Sequence, residues 1–122
     1  MNSLSLEWDT FDFYTIKIQE QESVHESKLS LIKSFLGKNY KFSQTKKADL
    51  LSDYNKCCKH LLLLYRKQLD SLENLIKLNK DLVDIPPERE VSPQTLSELK
   101  NVTSTLIRQV IRHQEDMKSL FD

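Results

Sequence analysis

Residues 46–84 read KKADLLSDYNKCCKHLLLLYRKQLDSLENLIKLNKDLVD, and Pro86-Pro87 follow one residue later. No Gly or Pro interrupts the run, so nothing in it breaks an α-helix. Leu51, Tyr54, Cys58, Leu61, Tyr65, Leu69, Leu72, Ile76 and Leu82 recur at helical spacing, and Cys57, Leu62, Leu64 and Leu75 widen the stripe. The spacing predicts a helix over 46–84, roughly 60 Å long at 1.5 Å per residue. Leu61, Leu62, Leu63 and Leu64 cover all sides of one turn. A turn that is apolar all round is expected to be buried all round, so the middle of this helix should touch more than one neighbour.

Two further helices fit on either side. Phe11, Tyr14, Ile18, His25, Leu29, Ile32 and Leu36 predict a helix over 5–36, with Gly37 as a left-handed C-cap. Its stripe breaks at residues 19–23, and Gln21 and His25 stand where apolar residues would continue it. A polar layer, weak packing or a bend would each account for that break. Ser43 or Thr45 is placed to cap the second helix. Ser92-Pro93 then opens a third helix over 93–120, Ser92 as N-cap and Pro93 at the first helical position. Leu99, Val102, Leu106, Val110, His113, Met117 and Leu120 form its stripe, with Ile107, Ile111 and Phe121 as a second apolar edge.

The loops, residues 37–45 and 85–92, are short, so consecutive helices should run antiparallel. The expected fold is all-α: one helical module over residues 1–122, an elongated up-down-up bundle of three long helices with coiled-coil-like packing. Positions 51, 58, 65, 72 and 79 hold Leu, Cys, Tyr, Leu and Asn, a mixed series that suits bundle packing better than a two-stranded coiled coil. Composition agrees. The 122 residues include one Gly, one Ala and 20 Leu, too little Gly for the tight turns of a sheet protein.

Lys and Arg balance Asp and Glu at 18 each, which argues against a dedicated nucleic-acid binder. The balance is uneven, because residues 38–67 carry eight bases, Lys38, Lys41, Lys46, Lys47, Lys56, Lys59, Arg66 and Lys67, against two acids. Tyr54 and Tyr65 interleave with these bases but lie on the apolar stripe. The bases are therefore expected to form a positive strip facing acids on the first helix, on the third or on a partner. Glu7, Asp9 and Asp12 are acidic where a leader would be basic, and no apolar run spans a bilayer. Adjacent Cys57 and Cys58 point about 100° apart on a helix, poor geometry for a mutual disulfide. Reduced thiols in a nuclear or cytoplasmic protein are expected.

Chemistry finds little to build on. A metal site would have to join Cys57 and His60, which share a helix face, to His25 or His113 from another helix. A nucleophilic cysteine would rely on Lys56 or Lys59 to lower its pKa. The carboxylate pairs Asp81/Asp84 and Glu115/Asp116 have no convergent pocket, and one Gly cannot make a phosphate loop. No catalytic residue, metal or cofactor is assigned. Leu64-Tyr65-Arg66 spells the tripeptide of the LYR-motif family, small three-helix adaptors of mitochondrial assembly and iron–sulfur delivery. In that family the tripeptide lies on the first helix; here it falls on the second. The resemblance implies an adaptor that presents Tyr65 and Arg66 together. The main expectation is a non-enzymatic helical subunit of a multi-protein complex, a scaffold, tether or regulator that packs against other helical subunits. Leu61, Leu62, Leu63, Leu64, Ile107, Ile111 and Phe121 are its candidate partner-binding residues. A nucleic-acid-associated role for the basic strip is the remaining alternative.

Overall fold

The computed structural model describes residues 3–37, 44–81 and 93–121. All of them are helical, in three elements: α1 (Ser3–Gly37), α2 (Gln44–Asp81) and α3 (Pro93–Phe121). Both α1 and α3 pack along α2. The fold is an all-α three-helix bundle. Thr15 meets Gln68 and His25 meets Tyr54, while Gln114 meets Asn55 and Lys100 meets Glu73. These pairings run in opposite senses along consecutive helices, so the topology is up-down-up.

Helix boundaries differ from the sequence expectation in detail. α1 begins at Ser3 and keeps Gly37 as its last helical residue. α2 begins at Gln44, so Thr45 lies within its first turn and does not cap it. Ser43, Leu82 and Ser92 lie outside the described residues, as do all of residues 38–43 and 82–92. Pro93 opens α3 as its fixed φ favours.

Two apolar clusters make the core. One joins Ile18 and Ile32 of α1 to Tyr54, Cys58, Leu61, Leu62, Leu64 and Tyr65 of α2 and to Val110 and Met117 of α3. The other joins Leu72, Leu75 and Leu96, with Trp8, Phe11 and Leu99 packed against them. Between them lies a polar level. Gln68 is buried and donates to Thr15 Oγ1 at 2.8 Å. Thr103 is buried on α3 with its hydroxyl donating to its own helix, at the Leu99 carbonyl (2.9 Å).

The stripe expected on α3 is corrected here. Val102 is 56% exposed and His113 is exposed, whereas Leu96 and Thr103 are buried. The buried set 96, 103, 110 and 117 advances by seven, two helical turns, along the line that faces α2. A threonine can occupy that line because its hydroxyl is satisfied locally and its methyl is left for the core.

Candidate interaction surface

The break in the α1 stripe is a polar layer with specific partners on α2. Gln21 Nε2 donates to the Cys57 carbonyl (3.4 Å) and to its Sγ (3.3 Å). Tyr65 donates its phenolic proton to Glu22 Oε2 at 2.5 Å. His25 Nε2 lies 3.0 Å from the Tyr54 hydroxyl, and its ring stacks on that of His113 at 6.3 Å. Burial, and secondly the neighbouring charge of His113, push the His25 pKa below its ordinary value. A neutral ring with its proton on Nδ1 can accept from the Tyr54 hydroxyl at Nε2, and the same hydroxyl also bonds Cys58. Burial likewise raises both tyrosines, Tyr65 further through its bond to Glu22. Among the described residues, no buried side-chain polar atom lacks a hydrogen-bond partner. A fully satisfied network of this kind fixes register.

The same layer decides the chemistry of the cysteines. Both are buried and free. Burial raises the Cys57 thiol and pushes Cys58 up to about 11. Neither is a thiolate at neutral pH, and neither is shaped as a nucleophile. Cys57 faces inward while His60, three residues on, faces solvent, so the Cys57–His60 pair suggested by spacing does not form. Among the described residues, no three His, Cys, Asp or Glu side chains converge as metal ligands.

The four-leucine turn is resolved unevenly. Leu61, Leu62 and Leu64 are buried within the bundle itself, while Leu63 stands 53% exposed. The expectation of all-round burial is therefore corrected: α1 and α3 cover three sides of the turn and leave the fourth open. Ile107 is half-buried against the core, and Ile111 is exposed. The side chain of Phe121 lies outside the described residues.

Leu63 sits at the centre of a basic ridge. Lys56, Lys59, Arg66 and Lys67 lie three, four or seven residues from it and share its outward face. All four are exposed, and none forms an ion pair with a described residue. Inter-helix ion pairs between described residues include Lys28 with Asp53 and Lys100 with Glu73, neither of them drawn from the ridge. Pairing of this strip with acids on α1 or α3, one of the expectations above, is not what these four bases do. Leu63, Lys56, Lys59, His60 and Arg66 line an open depression of about 360 Å³. Of the other expected members, Lys46 is exposed, Lys47 is half-buried, and Lys38 and Lys41 lie outside the described residues.

The Leu64-Tyr65-Arg66 tripeptide is divided by the fold. Leu64 is buried and Tyr65 is 2% exposed, so only Arg66 reaches solvent. The joint exposure of Tyr65 and Arg66 implied by the LYR resemblance is absent, because Tyr65 is committed to Glu22 and the core. Compared with protein-family models, with curated proteins and with solved structures, the chain gives no match.

One surface was not foreseen from the sequence. Leu6, Phe13, Ile16, Val24 and Leu31 of α1 are all large, apolar and outward-facing. Positions 6, 13, 24 and 31 are separated by seven, eleven and seven residues, whole numbers of helical turns, so they align on one face. That face lies about 100° round the helix from the Ile18–His25–Ile32 line packed on α2, since Val24 and Leu31 immediately precede His25 and Ile32. The signal was present as a second periodicity in α1, diluted by Thr10, Lys17, Glu20 and Ser27 between the apolar residues. No described helix is long and apolar enough to cross a membrane.

Proposed function

We propose that this chain is a non-catalytic helical subunit of a multi-protein complex, and that the outer ridge of α2 docks an acidic helical segment of another subunit. The observation that carries the reading is Leu63, half-exposed among four bases that form no ion pair with a described residue. An isolated exposed leucine is ordinary. A leucine ringed by unneutralised Lys and Arg has the composition of a docking point with an apolar centre and a charged rim. The burial of both thiols, which raises their pKa values, supports a binding role over nucleophilic catalysis. Burial of Tyr54 and Tyr65 withdraws the described aromatics of this strip from stacking on nucleic-acid bases, which favours a protein partner.

The test is a photo-crosslinking amino acid at position 63 of the full chain, introduced in cells and read by mass spectrometry. The reading expects adducts to acidic, helix-forming peptides of another protein, and their loss in a Lys59→Glu/Arg66→Glu background. Adducts to nucleic acid, or protein adducts indifferent to the charge reversal, would refute it.

A further inference from the structure

The outward stripe of α1 has an order that single-helix packing does not require. Leu6, Thr10, Phe13, Lys17, Glu20, Val24, Ser27 and Leu31 follow one another at alternating spacings of four and three. That is the spacing of a heptad seam, with large apolar residues at four of its eight positions. The seam is also palindromic in chemistry. Leu6 matches Leu31, Thr10 matches Ser27, Phe13 matches Val24, and Lys17 matches Glu20; each pair of numbers adds to 37. Two copies of α1 laid antiparallel about an axis between residues 18 and 19 would therefore place leucine on leucine at both ends. Phe13 would meet Val24 inside them, small hydroxyls would lie between, and opposite charges would cross the centre.

We infer that this face is a homodimer interface, and that its occupant is α1 of a second copy in antiparallel register. The contact is isologous, each residue i meeting j while j meets i, as a two-fold axis demands. The centre is already arranged for it. Lys17 Nζ lies 3.7 Å from Glu20 Oε2 of the same helix and 5.6 Å from the Phe13 ring centroid. Pairing two copies sets two such Lys–Glu pairs side by side with alternating sign. A parallel arrangement would instead set Lys17 on Lys17 and Glu20 on Glu20, so charge selects the antiparallel one.

Area supports a dimer of modest strength. A half-exposed aromatic or aliphatic side chain of this size leaves roughly 100 Å² open. The four large apolar residues of the seam then bring about 800 Å² from the two copies, and Ile16 at its margin with the polar seam residues raises the contact toward the lower bound for a specific interface. The seam runs over 26 residues of α1, about 38 Å from end to end at the helical rise. It uses no residue of the α2 ridge and does not depend on the function proposed for that ridge.

The experiment is sedimentation equilibrium on the full chain over a range of concentrations. The wild type should reach twice its 14.4 kDa mass, with dissociation on the order of micromolar for so small an interface. Phe13→Glu should give a monomer with unchanged helical dichroism, since Phe13 is 53% exposed and the bundle does not rest on it. Lys17→Glu sets Glu against Glu at the centre and should weaken the dimer about tenfold. Lys17→Glu/Glu20→Lys restores opposite charges only in the antiparallel register, and should recover wild-type affinity. A wild-type monomer throughout the range overturns the inference, as does a dimer indifferent to Phe13→Glu. A double variant no tighter than Lys17→Glu alone overturns the antiparallel register.

Discussion

Leu61→Ala and Leu63→Ala remove the same atoms from the same turn of α2, yet the structure assigns them very different costs. Leu61 is 2% exposed and sits in the larger core cluster beside Ile18, Tyr65 and Val110. Its truncation removes buried methyl groups and leaves a space that rigid neighbours close only in part. Such replacements cost ~3 kcal/mol, within a range of about 2–5. Leu63 faces water, where truncation removes little buried area and alanine is the better helix former; a change within ~0.5 kcal/mol is expected. Against a total stability on the order of 5–15 kcal/mol, the first change is large and the second barely measurable. Urea unfolding followed by far-ultraviolet dichroism, at one protein concentration, separates them as a fall in midpoint at constant slope. Equal losses from both variants would mean that Leu63 is buried too and that the turn is apolar and covered all round. A tolerant Leu61 would mean that the register of α2 against its neighbours is wrong.

Three further outcomes follow from the polar layer. His25 binds its proton less readily in the folded protein than at its ordinary value of 6.5, so the stability tied to its neutral form is complete above that pH and is lost as pH falls below it. Thermal midpoints should drop on that side, and His25→Gln, which keeps an acceptor for Tyr54 without titrating, should flatten the slope; an unchanged slope would remove His25 as its source. Cys57 and Cys58, buried and with raised pKa values, should react with a disulfide reagent at pH 8 only as fast as the bundle opens, and immediately in urea. Stoichiometric labelling of the native protein within mixing time would contradict that burial. Gln68→Leu should alter stability by less than ~1 kcal/mol, because Thr15 keeps its hydroxyl bond to the Phe11 carbonyl at 3.0 Å and an apolar residue joins the two clusters. A loss several times larger, read from the same urea titration, would show that the Gln68–Thr15 bond itself holds the level together.

Much of the fold could be read from residue order because its signals are local. The absence of Gly and Pro from α2, Ser92-Pro93 before α3, and stripes at three and four residues each act within one helix. What escaped the sequence depended on which helix touches which. The run at 61–64 offers four equivalent leucines, and only the placement of α1 and α3 singles out Leu63. On α3, Val102 and Thr103 compete for one inward position. Hydropathy favours the valine, but the line through 96, 110 and 117 selects the threonine. Tyr65 and Arg66 are neighbours in sequence, and a motif reading treats them as a unit. The helix sends one into the core and the other to solvent. The candidate basic strip was legible as composition, but its lack of internal acidic partners was not, because pairing is a property of facing surfaces.

The division of labour among the helices explains where binding information can reside. α2 is flanked on two sides, and its buried arc must serve both neighbours, which is why Leu61, Leu62, Leu64 and Tyr65 are nearly consecutive and all enclosed. The other half of its circumference is exposed, and the ridge around Leu63 runs along it. α1 packs mainly on one neighbour and needs one arc for it, the line through Ile18, His25 and Ile32. The exposed arc beside it, through Leu6, Phe13, Val24 and Leu31, is not part of that contact, so its apolar residues leave area exposed to water that association would cover. A seam that repeats at heptad spacing, with matched residues about its midpoint and opposite charges at the centre, is ordered well beyond what solubility or helix propensity asks. The two outward faces belong to different helices and point away from a common core. A pair of chains joined through α1 would therefore still present both α2 ridges, each open to a separate acidic partner.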